Sequence, residues 1–283
     1  MLQTDFQRDA ELPDLKIVPL ANLVLHEQVD PERIKGLVQR LEKDGLLKNP
    51  PIVAPIPGSA TYVVLDGANR TSALAAIGCR DAAVQIVDYN DPDLELAVWN
   101  HLVVAPTPDD VIETLRRING LRMRRVTLAM ARALLANRGV LAYVEPIEGP
   151  VLVLEGGLTL EGEAELLNQI VNSYHGRLRY FRVKSDELKG LLPYYDGVAV
   201  LVAFPVFQPE DITHLASNGA KLPAGITRHV IPQRALRVNV PLHILQQDRP
   251  VDEKNRWLHE KIKQHLLNRE IRFYQEATVL FDE

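Results

Sequence analysis

The chain has 283 residues, of which 46% are hydrophobic and 24% are charged, enough to build the buried core of one large or two medium domains. Its 32 Lys and Arg against 37 Asp and Glu give a formal net charge of −5, which disfavours a protein that coats nucleic acid. The single cysteine, Cys79, rules out an internal disulfide and favours a reducing compartment. The first residues lack the pattern of a signal peptide, and no run approaches the roughly 20 apolar residues of a membrane span. We therefore expect a cytoplasmic globular protein.

Apolar residues at strand or helix spacing, separated by turn and capping residues, define the predicted elements. In chain order they are one strand or two short ones within 16–27, helix 30–45, strands 52–55 and 62–65, helix 69–77, strand 82–87, helices 91–103, 107–118 and 127–137, hairpin 143–154, helix 160–174, strands 178–183 and 198–207, helix 208–216, strand-like segment 230–242, helix 252–268 and strand 271–281. We expect an α+β unit over 12–105 and a helical connection with a mixed α/β domain over 106–283, divided somewhere within 105–145. No Pro/Gly/Ser-rich joint marks this division.

The segment Val63-Val64-Leu65-Asp66-Gly67-Ala68-Asn69-Arg70-Thr71 is a candidate phosphate cradle. Gly67 permits a tight turn, and the free N–H groups of a helix that begins near Asn69 favour an anion there. Arg70 adds a guanidinium, Thr71 a hydroxyl, and Asp66 a carboxylate that can hold Mg²⁺ or accept a proton. By spacing alone, a simple turn with a solvated arginine is the commoner interpretation.

The order of elements around this segment strengthens the functional interpretation. Helix, strand, turn and strand, followed by Asp-Gly-x-x-Arg-Thr-x-Ala-Leu-x-x-x-Gly and another strand, resemble the ParB/sulfiredoxin-like N-terminal module. The motif of that module carries Gly-x-His-Arg before a helix, whereas this chain has Asn69 where most members have His. The resemblance covers about the first third of the chain and implies an α+β nucleotide-binding module.

A second stretch resembles the C-terminal half of the free L-serine kinases. It comprises Leu222-Pro223-Ala224-Gly225-Ile226-Thr227-Arg228, then Leu236-Arg237-Val238-Asn239-Val240-Pro241-Leu242 and Leu245-Gln246-Gln247-Asp248. His26-Glu27, Asp66-Gly67 and Trp99-x-His101 precede it in the order that family shows. The resemblance implies phosphorylation of free L-serine to O-phospho-L-serine with Mg²⁺ and a nucleotide donor. The family includes users of ATP and of ADP and a member that acts in siderophore synthesis, so the donor stays open.

The resemblance also implies roles for individual residues. Glu27 is the expected catalytic carboxylate, and Asp66 either holds Mg²⁺ or serves as the base. Gly67, Ala68, Asn69, Arg70 and Thr71 are expected to bind the nucleotide.

Trp99 and His101 are expected to line the substrate pocket, at the end of an apolar stretch predicted to be helical. Thr227 and Arg228 are expected to anchor the carboxylate of the amino acid. For each of these residues, an ordinary core or surface role is the alternative.

A DNA-binding regulator is the competing hypothesis, alone or in addition to kinase activity. Seven arginines lie within 107–138, and the two helices predicted there could form a helix-turn-helix. We favour a solvated helical face. A sulfiredoxin-like reductase would need a cysteine in the cradle, where Ala68 and Asn69 stand instead. The sequence has no zinc-ligand spacing, Walker loop or protein-kinase motif.

Overall fold

The computed structural model of the protein describes residues 12–274. Over that range it is a mixed α/β structure. The strands, in chain order, are β1 (Asp14–Pro19), β2 (Leu23–Leu25), β3 (Leu46–Leu47), β4 (Ile52–Pro55), β5 (Tyr62–Asp66), β6 (Asp81–Ile86), β7 (Glu95–Val98), β8 (Asn100–Val104), β9 (Arg122–Val126), β10 (Ala142–Pro146), β11 (Val151–Glu155), β12 (Tyr180–Val183), β13 (Val198–Ala203), β14 (Thr227–Val230) and β15 (Val240–Pro241).

The α-helices lie between these strands and after the last of them. They are α1 (Pro31–Asp44), α2 (Ala68–Ala76), α3 (Pro108–Arg116), α4 (Leu128–Ala136), α5 (Leu160–Asn172), α6 (Leu188–Leu191), α7 (Pro209–Ser217), α8 (Leu242–Gln246) and α9 (Val251–Leu267). Most of the predicted helices are confirmed. In α1, for example, the side chain of Asp30 accepts hydrogen bonds from the N–H groups of Glu32 and Arg33, and Gly45 ends the helix with a φ of 65°.

The strands form two main sheets and two short ladders. The first sheet has the order β1-β6-β4-β5-β2, and the second has the order β12-β8-β13-β10-β11-β9. The ladders pair β14 with β7 and β15 with β3. The chain leaves the first sheet at Ile86 and enters the second at Asn100. Strand β8, which precedes residue 105, already belongs to the second sheet. The predicted boundary between two units at residue 105 therefore stays a prediction.

The first sheet is covered on both faces, as alternation along β5 shows. Val63 and Leu65 belong to the large hydrophobic core that also contains the second sheet and α5. Val64 points the other way and packs with residues of α1, α2 and α9. A strand buried on both faces is a rigid support, which suits it to position a side chain at its end.

Helix α9 is fixed to the first sheet by buried polar contacts. Lys254 is 2% exposed and forms an ion pair with Asp81. The same ammonium donates hydrogen bonds to the backbone carbonyls of Leu245 and Gln247. On the next residue of the helix, the amide of Asn255 bonds both the N–H and the carbonyl of Ile17 in β1.

Two predicted elements are wrong. Residues 91–103 form β7 and β8 instead of a helix. Asn100, His101, Leu102 and Val103 are all buried, because β8 lies between β12 and β13 with both faces covered. A strand buried on both faces has no apolar alternation, so its periodicity does not distinguish it from a buried helix.

The strand-like segment 230–242 is also mostly wrong: only its ends pair, in β14 and β15. Between them, 231–239 is held by side chains of the first sheet region, since Gln85 bonds the backbone of Gln233 and Ala235. Of the predicted strand 271–281, residues 271–274 have no regular structure, and 275–283 lie outside the described residues.

The arginine-rich segment does not form a helix-turn-helix. Between α3 and α4 the chain forms β9, which pairs with β11 at the edge of the second sheet. Four of the seven arginines pair with carboxylates: Arg116 with Glu113, Arg124 with Glu155, Arg132 with Asp186, and Arg138 with Glu163 and Asp211. These pairs neutralise much of the basic face that the DNA-binding hypothesis requires. Separately, none of the helices within residues 12–274 has the length and apolar character needed to cross a membrane.

Candidate active site

Glu27 and Asp66 lie at the same ends of two adjacent parallel strands. Strand β2 pairs with β5 in parallel register, and Leu25 lies opposite Val64. Asp66 is the last residue of β5, two residues after Val64, and Glu27 lies two residues beyond Leu25, the last residue of β2. Because neighbouring strands are only about 4.8 Å apart, the two carboxylates are brought to one edge of the sheet. The two residues therefore follow neighbouring parallel strands at the same end of the first sheet.

The Glu27 carboxylate is held by a turn from the C-terminal part of the chain. The backbone N–H of Gly225 donates to Oε2 at 3.0 Å, and the backbone N–H of Thr227 donates to Oε1 at 3.1 Å. The hydroxyl of Thr227 also contacts Oε1 closely. A backbone bridge between Glu27 and Leu222 aligns the two segments. Glu27 retains 14% side-chain exposure, so its carboxylate is oriented yet still reachable.

His26 lies behind Glu27 and is 1% exposed. Its Nδ1 is 2.7 Å from the carbonyl oxygen of Val64, and its Nε2 is 2.9 Å from Oγ1 of Thr227. The ring of His229 meets it edge-on, with the ring centroids 5.3 Å apart. Burial, and next the proximity of His26, lower the pKa of His229 well below its usual range, so His229 is neutral. Its Nε2 bonds the hydroxyl of Tyr89 at 2.8 Å.

The strand, turn and helix predicted for the cradle are present at the start of α2, while phosphate binding there stays a prediction. Gly67 has a φ of 96°, and a Cβ there would lie 3.1 Å from Cα of Pro51, so the turn requires glycine. Gly67 is the N-cap residue and has no side chain to bond the first N–H groups of α2, which point back toward the turn. Asn69 accepts a hydrogen bond from the N–H of Asp30 at 2.9 Å, which brings the N-termini of α1 and α2 together. Thr71 is 5% exposed and its hydroxyl bonds the carbonyl of Gly67, so it supports the turn from inside.

Asp66 is paired with two guanidiniums. Arg70 donates to its Oδ2 at 2.8 Å, and Arg234 approaches the same oxygen at 2.5 Å. Arg70 also donates to the carbonyl of Asn49 at 2.8 Å. The side chain of Arg70 is only 16% exposed, so it both supports the cradle loop and adds positive charge beside it. A role of Arg70 in binding the nucleotide stays a prediction.

Trp99, Thr227 and Arg228 are brought together by the β7–β14 ladder. Thr227 pairs with Val98, and the N–H of Trp99 donates to the carbonyl of Ile226 at 2.8 Å. The guanidinium of Arg228 lies over the Trp99 ring, 5.2 Å from its centroid. The ladder therefore presents an aromatic face and a cation on the segment that holds Glu27.

His101 lies on β8 in the core of the second sheet, opposite Arg182 of β12 and near Gly225 of the turn that holds Glu27. It is fully buried, and its Nδ1 is 2.7 Å from the hydroxyl of Tyr174. Its ring packs at a tilt against Tyr180 and edge-on against Phe204. Its Nε2 has no hydrogen-bond partner within the described residues. Burial first, then the charges of Arg182 and His175, lower its pKa to about 3. A neutral buried histidine is a support for the site, and a direct substrate contact by its ring stays a prediction.

Sequence reasoning missed two arginines near the site. Arg234 lies in the irregular segment 231–239, and its pairing with Asp66 carries no local signal. Arg182, on β12, donates to the carbonyl of Ala224 at 3.0 Å. Its guanidinium occupies the space where a Cβ of residue 225 would stand, and it has no carboxylate partner within residues 12–274. Gly225, with a φ of 70°, is needed both for the turn and for this close approach. Cys79, in contrast, is buried, and burial raises the pKa of its thiol to about 11.

The cradle fits a nucleotide phosphate better than the carboxylates fit an independent metal. No group of three or more His, Cys, Asp or Glu within the described residues is arranged to hold a metal ion. Asp66 is the carboxylate next to the cradle, and two arginines already neutralise it. A Mg²⁺ ion that arrives on nucleotide phosphates needs only one or two protein carboxylates, which Asp66 can still supply.

Comparison with known proteins gives relatives of one kind. No family model matches the chain. The ATP-dependent L-serine kinase SbnI of Staphylococcus aureus is 27% identical over 272 residues, which are 95% of this chain and 97% of that protein. The ADP-dependent L-serine kinase SerK of Thermococcus kodakarensis is 23% identical over 233 residues, 82% of this chain and 93% of that protein.

Solved structures share the fold over similar lengths. A free serine kinase in complex with AMP superposes with a TM-score of 0.72 at 19% identity and covers 83% of this chain and 95% of its own. SbnI with a C-terminal truncation, from Staphylococcus aureus, gives a TM-score of 0.69 at 24% identity over 91% and 97%. Neither these comparisons nor the fold supports the DNA-binding alternative. The chain is therefore similar to L-serine kinases along nearly its whole length, as its motifs indicated.

Proposed function

We propose that this protein is a phosphotransferase that converts free L-serine to O-phospho-L-serine, with ATP or ADP as phosphoryl donor. The observation that carries the proposal is the position of Glu27. Its carboxylate is oriented by two backbone N–H groups, keeps partial exposure, and lies beside the parallel strand that leads into the cradle. The ParB/sulfiredoxin-like identity of the 12–105 module, and the completion of the site by 106–283, are parts of the same proposal.

Glu27 acts as the base for the serine hydroxyl. Phosphoryl transfer needs little covalent help from a protein, but it does need an in-line hydroxyl and neutralised phosphates. The N–H donors of Gly225 and Thr227 fix the Glu27 oxygens, so one lone pair is aimed outward to accept the hydroxyl proton. Asp66, at the end of the neighbouring strand, orients Arg70 of the cradle and Arg234.

The cradle holds the donor phosphates. Gly67, Ala68, Asn69 and Arg70 contribute backbone N–H groups at the positive end of α2, while the hydroxyl of Thr71 keeps the turn closed from within. Magnesium, when bound, neutralises charge on the phosphates, and Asp66 is the residue that would hold it.

The amino-acid end of the substrate meets the turn 223–228 and the Trp99 face. Arg228 and Arg182 are the two guanidiniums beside this turn, and either suits the serine carboxylate by bidentate geometry. Thr227 contributes through Glu27, since its hydroxyl is already engaged there.

Incubation of the purified protein with L-serine, Mg²⁺ and ATP or ADP, with phosphoserine measured by mass spectrometry, tests the proposal. We expect phosphoserine with at least one nucleotide and none with D-serine at the same concentration. Absence of phosphoserine with both nucleotides, in protein whose thermal melt shows it folded, would refute the function.

A further inference from the structure

We propose that His26 and Thr227 form a proton relay behind Glu27, which carries the proton of the serine hydroxyl from the Glu27 carboxylate to Nε2 of His26. This inference deepens the proposed function and rests on it. In the relay, Glu27 touches the substrate, whereas Thr227 and His26 are positioning residues that act through Glu27.

A count of donors and acceptors around Thr227 identifies the relay. The carbonyl of Val64 can only accept, so Nδ1 of His26 carries a proton. The Thr227 hydroxyl lies between Nε2 of His26 and Oε1 of Glu27, but it has one proton and can donate to only one of them. With His26 neutral and Glu27 ionised, one of the two contacts lacks a proton. Both contacts become hydrogen bonds when the three groups together hold one proton more than in that state. The buried network is therefore built to accept one proton.

The extra proton can be placed in two ways that satisfy both contacts. In one, Glu27 is the acid and donates to Thr227, which donates to Nε2. In the other, His26 is the imidazolium and donates to Thr227, which donates to the Glu27 carboxylate. Passage between them moves two protons and no heavy atom. The second arrangement suits the surroundings, because the N–H groups of Gly225 and Thr227 match a carboxylate better than an acid.

The balance of the reaction follows. The serine oxygen bonds to the terminal phosphorus as the bond from that phosphorus to the bridging oxygen breaks, and the shortened nucleotide leaves with that oxygen. The hydroxyl proton goes to Oε1 of Glu27, the oxygen that contacts Thr227. Oε1 passes a proton to the Thr227 oxygen as the Thr227 hydroxyl proton passes to Nε2 of His26. Glu27 is then a carboxylate again, and the proton returns to solvent by the reverse path, through the exposed side of Glu27.

The groups that face His26 are compatible with a transient positive charge. They are Glu27, at 3.8 Å from Nε2, the carbonyl of Val64, and the edge of the His229 ring. His229 is neutral and its own Nε2 is bonded to Tyr89, so it adds no opposing charge.

Variants at 227 and 26 separate a relay from a structural role. Thr227→Val removes the hydroxyl but keeps the shape and the backbone N–H to Glu27. Thr227→Ser keeps the hydroxyl. His26→Asn keeps a donor for the carbonyl of Val64 and removes Nε2. Thr114→Val is the matched control, since its half-buried hydroxyl bonds only the carbonyl of Val111.

Single-turnover phosphoserine formation, measured by rapid quench in H₂O–D₂O mixtures, is the decisive experiment. We expect Thr227→Val and His26→Asn to slow the step on the order of 10- to 100-fold, with nucleotide KM unchanged. Thr227→Ser and Thr114→Val should stay within about threefold of the wild type. When two protons move in one step, the rate constant depends on the D₂O fraction along a curve. In Thr227→Val this dependence of the rate constant should become linear.

The outcomes distinguish the two proposals. Wild-type protein that forms no phosphoserine would refute the function and the relay together. Active wild-type protein, with folded Thr227→Val and His26→Asn variants that keep its rate and its isotope dependence, would refute the relay alone.

Discussion

Two buried polar clusters join the first sheet to the C-terminal part of the chain, and they are built in opposite ways. The Lys254 clip, formed by Lys254, Asp81 and two backbone carbonyls, is closed and saturated: three acceptors surround the three protons of one ammonium. The Glu27 cluster, formed by Glu27, Thr227 and His26, is open on one side and has more contacts than protons.

This difference separates a structural from a chemical use of buried charge. A saturated pair gains nothing from a further proton or ligand, so its value is to fix α9 on the sheet. An unsaturated cluster with one exposed side stabilises the fold less, but it can accept a proton from a substrate. The predictions below test that division, from the largest expected effect to the smallest.

Glu27→Gln should lower kcat by about 10²- to 10⁴-fold, because a positioned base is lost. The KM for serine should change far less, since the lost interaction develops mainly in the transition state. Stability should fall by only about 1–2 kcal/mol, because one amide oxygen can still accept from a backbone N–H. Steady-state kinetics and urea unfolding measure both quantities; turnover near that of the wild type in folded protein would remove Glu27 from the chemistry.

Lys254→Met should show the reverse pattern. Removal of the ammonium leaves Asp81 buried without its partner, which costs about 3–5 kcal/mol of unfolding free energy. In protein that remains folded, kcat should match the wild type. Arg80→Ala is the control, since Arg80 forms a comparable pair with Asp248 at the surface and should cost at most about 1 kcal/mol. Equal effects of the two substitutions would contradict the structural importance of the clip.

Arg70→Ala probes a residue with both kinds of role. Loss of a charge-assisted contact should weaken nucleotide binding by about 1.5–3 kcal/mol, which calorimetry can measure. The melting temperature should also fall, because Arg70 holds Asp66 and the carbonyl of Asn49. Arg70→Lys should recover part of the affinity but not the two-acceptor support. Unchanged affinity in folded Arg70→Ala would exclude the guanidinium from the nucleotide site.

His101 is a third case, a buried ring with one nitrogen bonded and the other without a partner among the described residues. Its folded-state pKa of about 3 lies below the unfolded value of about 6.5, so its neutral form is favoured by folding. The stability that this provides is fully present above pH 6.5 and is lost as the pH falls toward 3, at about 1.4 kcal/mol per pH unit.

Urea unfolding of the wild type and His101→Phe between pH 7 and 5 tests this. The wild type should lose more stability over that range than His101→Phe, by roughly 1.5–2 kcal/mol. His259→Phe, at an exposed histidine, should follow the wild type. Parallel curves for all three proteins would contradict the depressed pKa of His101.

The sequence by itself determined the elements whose signals are local. Asp30 caps α1 through N–H groups two and three residues away, and Gly45 ends it, so a short stretch contains both signals. The cradle is local in the same sense: Gly67 and the start of α2 occupy adjacent positions, and both their conformation and their anion preference follow from backbone physics. The relatives were likewise foreseen from contiguous motifs.

Tertiary structure decided what depends on distant partners. Residues 100–104 are a strand because β12 and β13 pair with its two edges, and its residues 100–103 are buried, so apolar periodicity cannot reveal it. Asp66 is neutralised by Arg234, in a segment whose backbone has no regular structure. Glu27 is oriented by Thr227, 200 residues later, and a hydrogen bond across that separation leaves no spacing pattern in the chain. The sequence supplies the histidine, the threonine and the carboxylate of the Glu27 cluster, but the packing of distant segments brings them within hydrogen-bond distance.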